Sequence, residues 1–393
     1  MLTSRSLGPR ASSFDFAEQV FGHLPRADQR RWAHAYLMAL LRTPGKKSVR
    51  RLAQSLSDSA TAAQSLHQFV NASPWPWEPV CRKLMRWAEQ CTVPRAWTVD
   101  VAVLRKRGEH SCGVHRRFIP GTGRSVNCQI GIGAFVVTDH DALPVGWRLL
   151  LPRIWIEDSQ RRTRTRIPPD AATRSLEGGA LDLIRAMGDR TQLAEVPVVA
   201  DLSTHCGTST LARGLSLQGR DFVIGVPASL PVVAGRQLRA QQQDGSGWPA
   251  VMDAGKLFDP VHSERAGLDV YTSREGQANA PLIQSSIVHL AGRGADPAVQ
   301  RSYRLLGIRS PRSGRPLNLW LTSMVNRRLD EVVELTQLQA RSVQTLERLE
   351  QDYGLLDFEG RSYPGWHHHM ALMSAAYMHR RLNLPDSWTP QSH

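Results

Sequence analysis

His367, His368 and His369 stand in a row behind Gly365-Trp366 and ahead of the apolar run Met370-Ala371-Leu372. Imidazoles offer metal ligation or proton transfer near neutral pH. Three adjacent residues make a poor metal site, because neighbouring side chains leave the backbone in different directions. The run is internal and 24 residues follow it, which does not suit a tag. Cys112 with His115, and His205 with Cys206, supply further soft-metal ligand types. Cys112 and His115 point to opposite faces if they lie on a strand, and adjacent His205 and Cys206 do not face each other as a nucleophile and its base would. Both pairs read as unrelated buried cysteines and surface histidines. A last candidate is Asp201, the acid that ends the buried apolar strand Val196–Asp201. A single Asp in such a place is most often a turn residue or a helix cap.

The elements around these residues change character along the chain. Residues 14–92 read as a helical domain: Phe16, Ala17, Val20 and Phe21 recur at helical spacing, and Trp32, Ala35, Tyr36, Ala39 and Leu40 build a second apolar face. Ser48–Leu56, Ala60–Val70 and Trp77–Cys91 continue the set, punctuated by prolines. Trp75 and Trp77 flank prolines and read as core packing. From residue 93 the texture turns to strands: Trp97–Val101, Ser111–Phe118, Val126–Val137 and Trp147–Leu151 precede a helix at Ala180–Met187 and the strand to Asp201. That order suits a mixed α/β sheet. More short strands follow in residues 214–328, and Leu329–Tyr353 reads as one long helix stopped by Gly354. We divide the chain at 14–92, 93–213, 214–328 and 329–384, with tails at 1–13 and 385–393.

The 393 residues exceed what one growing core holds, so more than one domain is expected. Lys plus Arg number 49 against 35 Asp plus Glu, giving +14 and favouring a polyanion such as nucleic acid as partner. Lys46, Lys47, Arg50 and Arg51 cluster at the start of the third helix. Arg105, Lys106, Arg107, Arg116, Arg117 and Arg124 lie on or beside the hairpin that follows the first strand, and Arg161, Arg162, Arg164 and Arg166 form a run in an expected loop before Pro168-Pro169. The five cysteines are scattered and odd in number, which fits a reducing cytoplasm. Residues 1–13 lack the apolar core of a signal peptide, and no run is long enough to span a membrane.

The stretch Glu359-Gly360-Arg361-Ser362-Tyr363-Pro364-Gly365-Trp366-His367-His368-His369 resembles the C-terminal signature of one branch of the DDE-superfamily transposases of bacterial insertion sequences, Tyr-Glu-Gly-Arg-Ser-Trp-x-Gly-Trp-His-His-His. Further matches run back along the chain: Trp97-Thr98-Val99-Asp100 followed by Lys106-Arg107-Gly108-Glu109-His110-Ser111, then Asn127-Cys128-Gln129, Leu143-Pro144-Val145-Gly146-Trp147-Arg148-Leu149 and Val199-Ala200-Asp201. The resemblance implies an RNase H-like mixed-sheet core with a β-rich insertion, a helical N-terminal DNA-binding domain and C-terminal helices. It also implies Asp100 and Asp201 as catalytic, metal-holding carboxylates, Mg²⁺ or Mn²⁺ as cofactor, and double-stranded DNA as partner. A homodimer is a second expected partner, and the nucleoid of a bacterial cytoplasm the expected place. In such enzymes three carboxylates hold metal ions that activate the nucleophile and stabilise the leaving oxygen at phosphorus.

The chain departs from that pattern where the chemistry sits. The family's second adjacent acid is Val101, and its Thr-Gly-Phe-Pro is Ala102-Val103-Leu104-Arg105. Its Tyr-x-x-Arg-x-x-x-Glu-x-x-x-x-x-x-Lys, counted back from Gly354, falls on Thr336, Gln339, Val343 and Glu350, so a valine replaces the third acid. Glu347 shares a helix face with Val343 but stands about 6 Å along the axis, far against a Mg–O distance of about 2.1 Å. We expect Val343 to face Asp100 and Asp201. The reading is a transposase-family DNA-binding protein with weak or no catalysis. Its rivals are a captured regulator and a scaffold recruited to unrelated small-molecule chemistry.

Overall fold

The computed structural model describes residues 12–57, 60–119, 122–191, 196–234, 251–259, 269–272, 282–291, 301–309 and 318–383. The expected tails, 1–13 and 385–393, lie outside these apart from Ser12 and Ser13. The class is mixed α/β, as the strand and helix order led us to expect. The described residues fall into two compact units, one of residues 1–95, 100–194 and 340–393, the other of 96–99 and 195–339.

In the first unit, α1 (Ser13–Phe21) starts at a capping box in which the Ser12 hydroxyl accepts the Asp15 N–H and the Asp15 carboxylate accepts the Ser12 N–H. It buries Phe16, Ala17, Val20 and Phe21, the residues whose spacing marked the helix. Then come α2 (Ala27–Arg42), α3 (Val49–Gln54, capped by Ser48), α4 (Ala60–Asn71) and α5 (Glu78–Cys91). The strand β1 (Ala96–Arg105) leads into β2 (His115–Ile119), β3 (Arg124–Val137) and β4 (Ala142–Leu149), with β2–β3 and β3–β4 antiparallel. After α6 (Arg153–Glu157) and α7 (Ser159–Thr165), α8 (Leu176–Gly188) packs on β3 and β4.

The arginine run expected in a loop forms α7 instead, because Asp158 caps it by accepting the Arg161 N–H. Two of those arginines are structural ties. Arg162 donates to the Pro168 and Pro169 carbonyls, and Arg166 to the Ala72 carbonyl and the Ser362 hydroxyl.

The second unit holds the first residues of β1 parallel to β5 (Val198–Ala200), and β5 parallel to β6 (Phe222–Val226). Between them α9 (Thr208–Leu217) packs on β6. The later strands are β7 (Pro231–Ala234), β8 (Met252–Asp253), β9 (Asp269–Thr272), β10 (Leu282–Leu290), β11 (Tyr303–Arg309) and β12 (Asn318–Thr322). The run β6–β12–β11–β10 is antiparallel throughout.

The expected single helix over 329–353 is two, α10 (Leu329–Gln337) and α11 (Gln339–Asp352). At the break the Leu338 N–H bonds to the Leu335 carbonyl, and the Thr336 hydroxyl draws the Val333 carbonyl. Both bonds reach back three residues and tighten the turn out of α-helical register. Gly354 does end α11, with φ +75°. The last helix, α12 (Tyr363–Asn383), is buried all round from Gly365 to Met378 and packs against α2, α4, α5 and β4, so it is the hub of its unit.

Candidate functional site

Asp100 lies in β1 where the strand is buried from Ala96 onward, and is itself 9% exposed. Its carboxylate is engaged: Oδ1 accepts the Val101 N–H at 2.8 Å, and Oδ2 accepts the Ser342 hydroxyl at 3.3 Å. Ser342 is fully buried on the face of α11 that also buries Thr345 and Leu349. Val343, one residue on and about 100° around the helix, is 43% exposed, and Glu347 and Glu350 are exposed as well. The helix side chain that meets Asp100 is therefore Ser342 rather than the expected Val343. Counting from Gly354 overlooked it. The burial spacing of Leu338, Ser342, Thr345 and Leu349 was the signal that could have found it.

Asp201 follows β5 and is exposed; its Oδ1 accepts the Ser203 N–H at 3.2 Å and the Ser203 hydroxyl at 2.7 Å, a side-chain turn. The carboxylate lies over Gly225, where an added Cβ would stand 2.6 Å from the carboxyl carbon. The strands carrying the two acids pair Trp97 with Val198 and Thr98 with Val199. Asp100 lies within β1, and Asp201 is the residue after β5.

Among the described residues no group of three or more His, Cys, Asp or Glu is arranged to hold a metal. The side chains present do not fit a three-carboxylate, two-metal centre. The α11 side chain that reaches Asp100 is a hydroxyl, Ser342, while Val343, Glu347 and Glu350 are exposed.

The expected DNA-facing cations divide. Lys46, Arg50, Arg51, Arg105, Arg107, Arg116 and Arg124 are exposed, and Arg117 is half-buried on β2. Lys46 lies 3.7 Å from Glu359, and Arg51 donates to the Pro44 carbonyl. Lys47 is 4% exposed: its ammonium donates to the Thr43 carbonyl and its backbone N–H to Asp357. Lys106 sends its ammonium into the Phe358 carbonyl at 2.9 Å. Burial lowers the pKa of both lysines. These two fasten the turn after α11 and are not surface cations, a distinction that charge counting could not make.

The histidine run occupies the first turns of α12, and all three side chains are buried. His367 donates its Nδ1–H to the Tyr363 carbonyl at 3.0 Å and stacks on Trp77. His369 donates Nε2–H to the Gly354 carbonyl and accepts the Tyr36 hydroxyl on Nδ1. His368 stacks on Trp75 with ring centres 3.8 Å apart, and its two ring nitrogens face the carbonyls of Val70 (2.8 Å) and Trp75 (2.7 Å). Burial pushes His367 down to about 3 and His368 and His369 to about 4. The run thus bolts α12 to the N-terminal helices and to the turn at Gly354. Cys112 is buried and its thiol pushed up to about 12 by burial, so it is no nucleophile.

No curated protein matches the chain. Among solved structures, the piggyBac transposase in a synaptic complex with hairpin DNA, seen by cryo-EM, is similar with a TM-score of 0.40 and 12% identity, over 92% of this chain and 74% of that one. The profile of the DDE superfamily endonucleases matches residues 19–275, about two thirds of the sequence, and the chain belongs to that family.

Proposed function

We propose that this protein is a DNA-binding descendant of insertion-sequence transposases in which strand cleavage and transfer are weak or lost. The observation that carries it is the state of Asp100. Beside the carboxylate that would be the first acid of the reaction, α11 presents the Ser342 hydroxyl, and no carboxylate among the described residues completes a set of three. The match of Trp97-Thr98-Val99-Asp100 and Val199-Ala200-Asp201 to the family's motifs supports reading them as the remaining two acids. We assign no metal-dependent step to them.

The DNA surface we propose is the exposed Arg105, Arg107, Arg116 and Arg124 around the β2–β3 hairpin, with the half-buried Arg117 among them and Lys46, Arg50 and Arg51 at α3 as a second patch. Double-stranded DNA is the partner and the bacterial cytoplasm the place. Electrophoretic titration at two salt concentrations tests the binding half. Affinity that falls steeply with salt supports it, because each displaced phosphate counterion adds to the slope. No affinity, or affinity indifferent to salt, removes it. Nicking of a supercoiled plasmid with Mg²⁺ or Mn²⁺ that Asp100→Ala and Asp201→Ala each abolish would return the chain to the active enzymes.

A further inference from the structure

A cavity of about 270 Å³ lies inside the first unit, beside the edge of β4 that pairs with no strand among the described residues. Two observations make it more than a surface cleft. His367 lines it and is only 3% exposed. Because its Nδ1–H is committed to the Tyr363 carbonyl, Nε2 is a lone-pair acceptor, and no described protein group donates to it. Burial holds that ring neutral, which keeps the acceptor in place at ordinary pH. Arg148 also lines the cavity with a side chain 37% exposed, its Nη1 3.5 Å from Asp182. An unused acceptor and a partly exposed guanidinium line one space.

The rest of the wall says what kind of molecule completes them. Arg174 and Arg190 add positive charge, while Glu78 and Asp170 add negative charge, and Asp182 lies against both Arg148 and Arg174. With charge so balanced, a bare anion gains little. Trp77 and Tyr363 contribute aromatic surface, with their ring centres 6.0 Å apart and the His367 ring packed against each. A flat apolar body with both N–H donors and ring acceptors on its edge is the chemistry of a nucleobase.

We propose that this cavity binds a single nucleobase, with a base N–H donating to His367 Nε2 and a base acceptor receiving the Arg148 guanidinium. The base could come from a free nucleoside or from one unit of a nucleic-acid strand. The site does not depend on the DNA-binding surface proposed above, and its test reads out without duplex DNA.

The test is isothermal titration calorimetry of the full chain with adenosine, guanosine, cytidine and thymidine, and with ribose and inorganic phosphate as controls. At least one nucleoside should bind with Kd below about 1 mM, and neither control should match it. His367→Phe keeps a ring in place and deletes the acceptor, and should weaken binding by about tenfold or more. Ala172→Phe fills the wall from an exposed loop position without touching a polar group, and should weaken it similarly even if His367→Phe fails to fold. Competition by a short single-stranded DNA identifies a strand as the source, and its absence identifies the free nucleoside. The proposal is overturned if no nucleoside binds, if phosphate binds equally well, or if Ala172→Phe binds like the parent.

Discussion

Acidification between pH 7.5 and 5.5 should cost this protein stability, and the buried histidines set the amount. His367 titrates at about 3 in the folded chain, and His368 and His369 at about 4, against 6.5 when exposed. A folded pKa below the unfolded one means the unfolded chain takes up protons first. Stability is therefore full above 6.5 and is lost as pH falls through 6.5 towards the folded values. Across this window each histidine contributes about 1.4 kcal/mol, the value of one pH unit of differential proton binding, almost independent of where below 5 the folded pKa lies. Three such groups give about 4 kcal/mol.

His368 opposes this with its own geometry. Two carbonyls face its two ring nitrogens, and only a protonated ring donates to both. If those contacts keep it charged, its share disappears and about 3 kcal/mol remains. Either figure is a large part of a total of about 5–15 kcal/mol. Denaturant titrations at pH 7.5, 6.5 and 5.5 measure the loss at a constant m-value. His369→Gln should flatten the pH slope by the share of one histidine while lowering stability at pH 7.5. His23, His34 and His379 are also shifted down, chiefly by burial, so they add in the same direction. Stability that is flat or rises on acidification would refute the burial of the run.

Other substitutions probe the rest. Gly225→Ala should push the Asp201 carboxylate off β6 and cost about 1–3 kcal/mol in a thermal melt; an unchanged melting temperature would mean that Asp201 does not lie where described. Ser342→Ala should cost about 1–2 kcal/mol by releasing the near-buried Asp100, while Val343→Glu on the exposed face should change stability by less than about 0.5 kcal/mol. The reverse ranking would restore Val343 to the inward face. Arg105→Ala with Arg107→Ala should flatten the salt dependence of DNA affinity, whereas Lys47→Ala should lower the melting temperature and leave that slope alone.

Much of the helical N-terminal region was legible because amphipathic spacing and caps are local signals. Ser12 and Ser48 are capping types, and the apolar spacing of α1 translates directly into its buried face. What was illegible is decided by tertiary contacts. The charge count treated Lys47 and Arg105 alike, yet one ammonium ends in a backbone carbonyl and the other side chain in solvent. The long-helix reading of 329–353 failed at Leu338 because no glycine or proline marks the break; it is made by three-residue hydrogen bonds that propensity does not encode.

The histidine run shows the same division more sharply. Its residue types suggested metal ligation or proton transfer, yet the apolar run that follows it continues a helix buried all round. Buried polar groups are costly without partners, and those of His368 and His369 come from Tyr36, Val70, Trp75 and Gly354. The run therefore specifies which helices α12 packs against, since a misplaced neighbour would strand a buried imidazole at a cost of about 1–3 kcal/mol. No described group donates to the Nε2 of His367, so the run that fixes the scaffold also leaves an acceptor at the cavity beside β4.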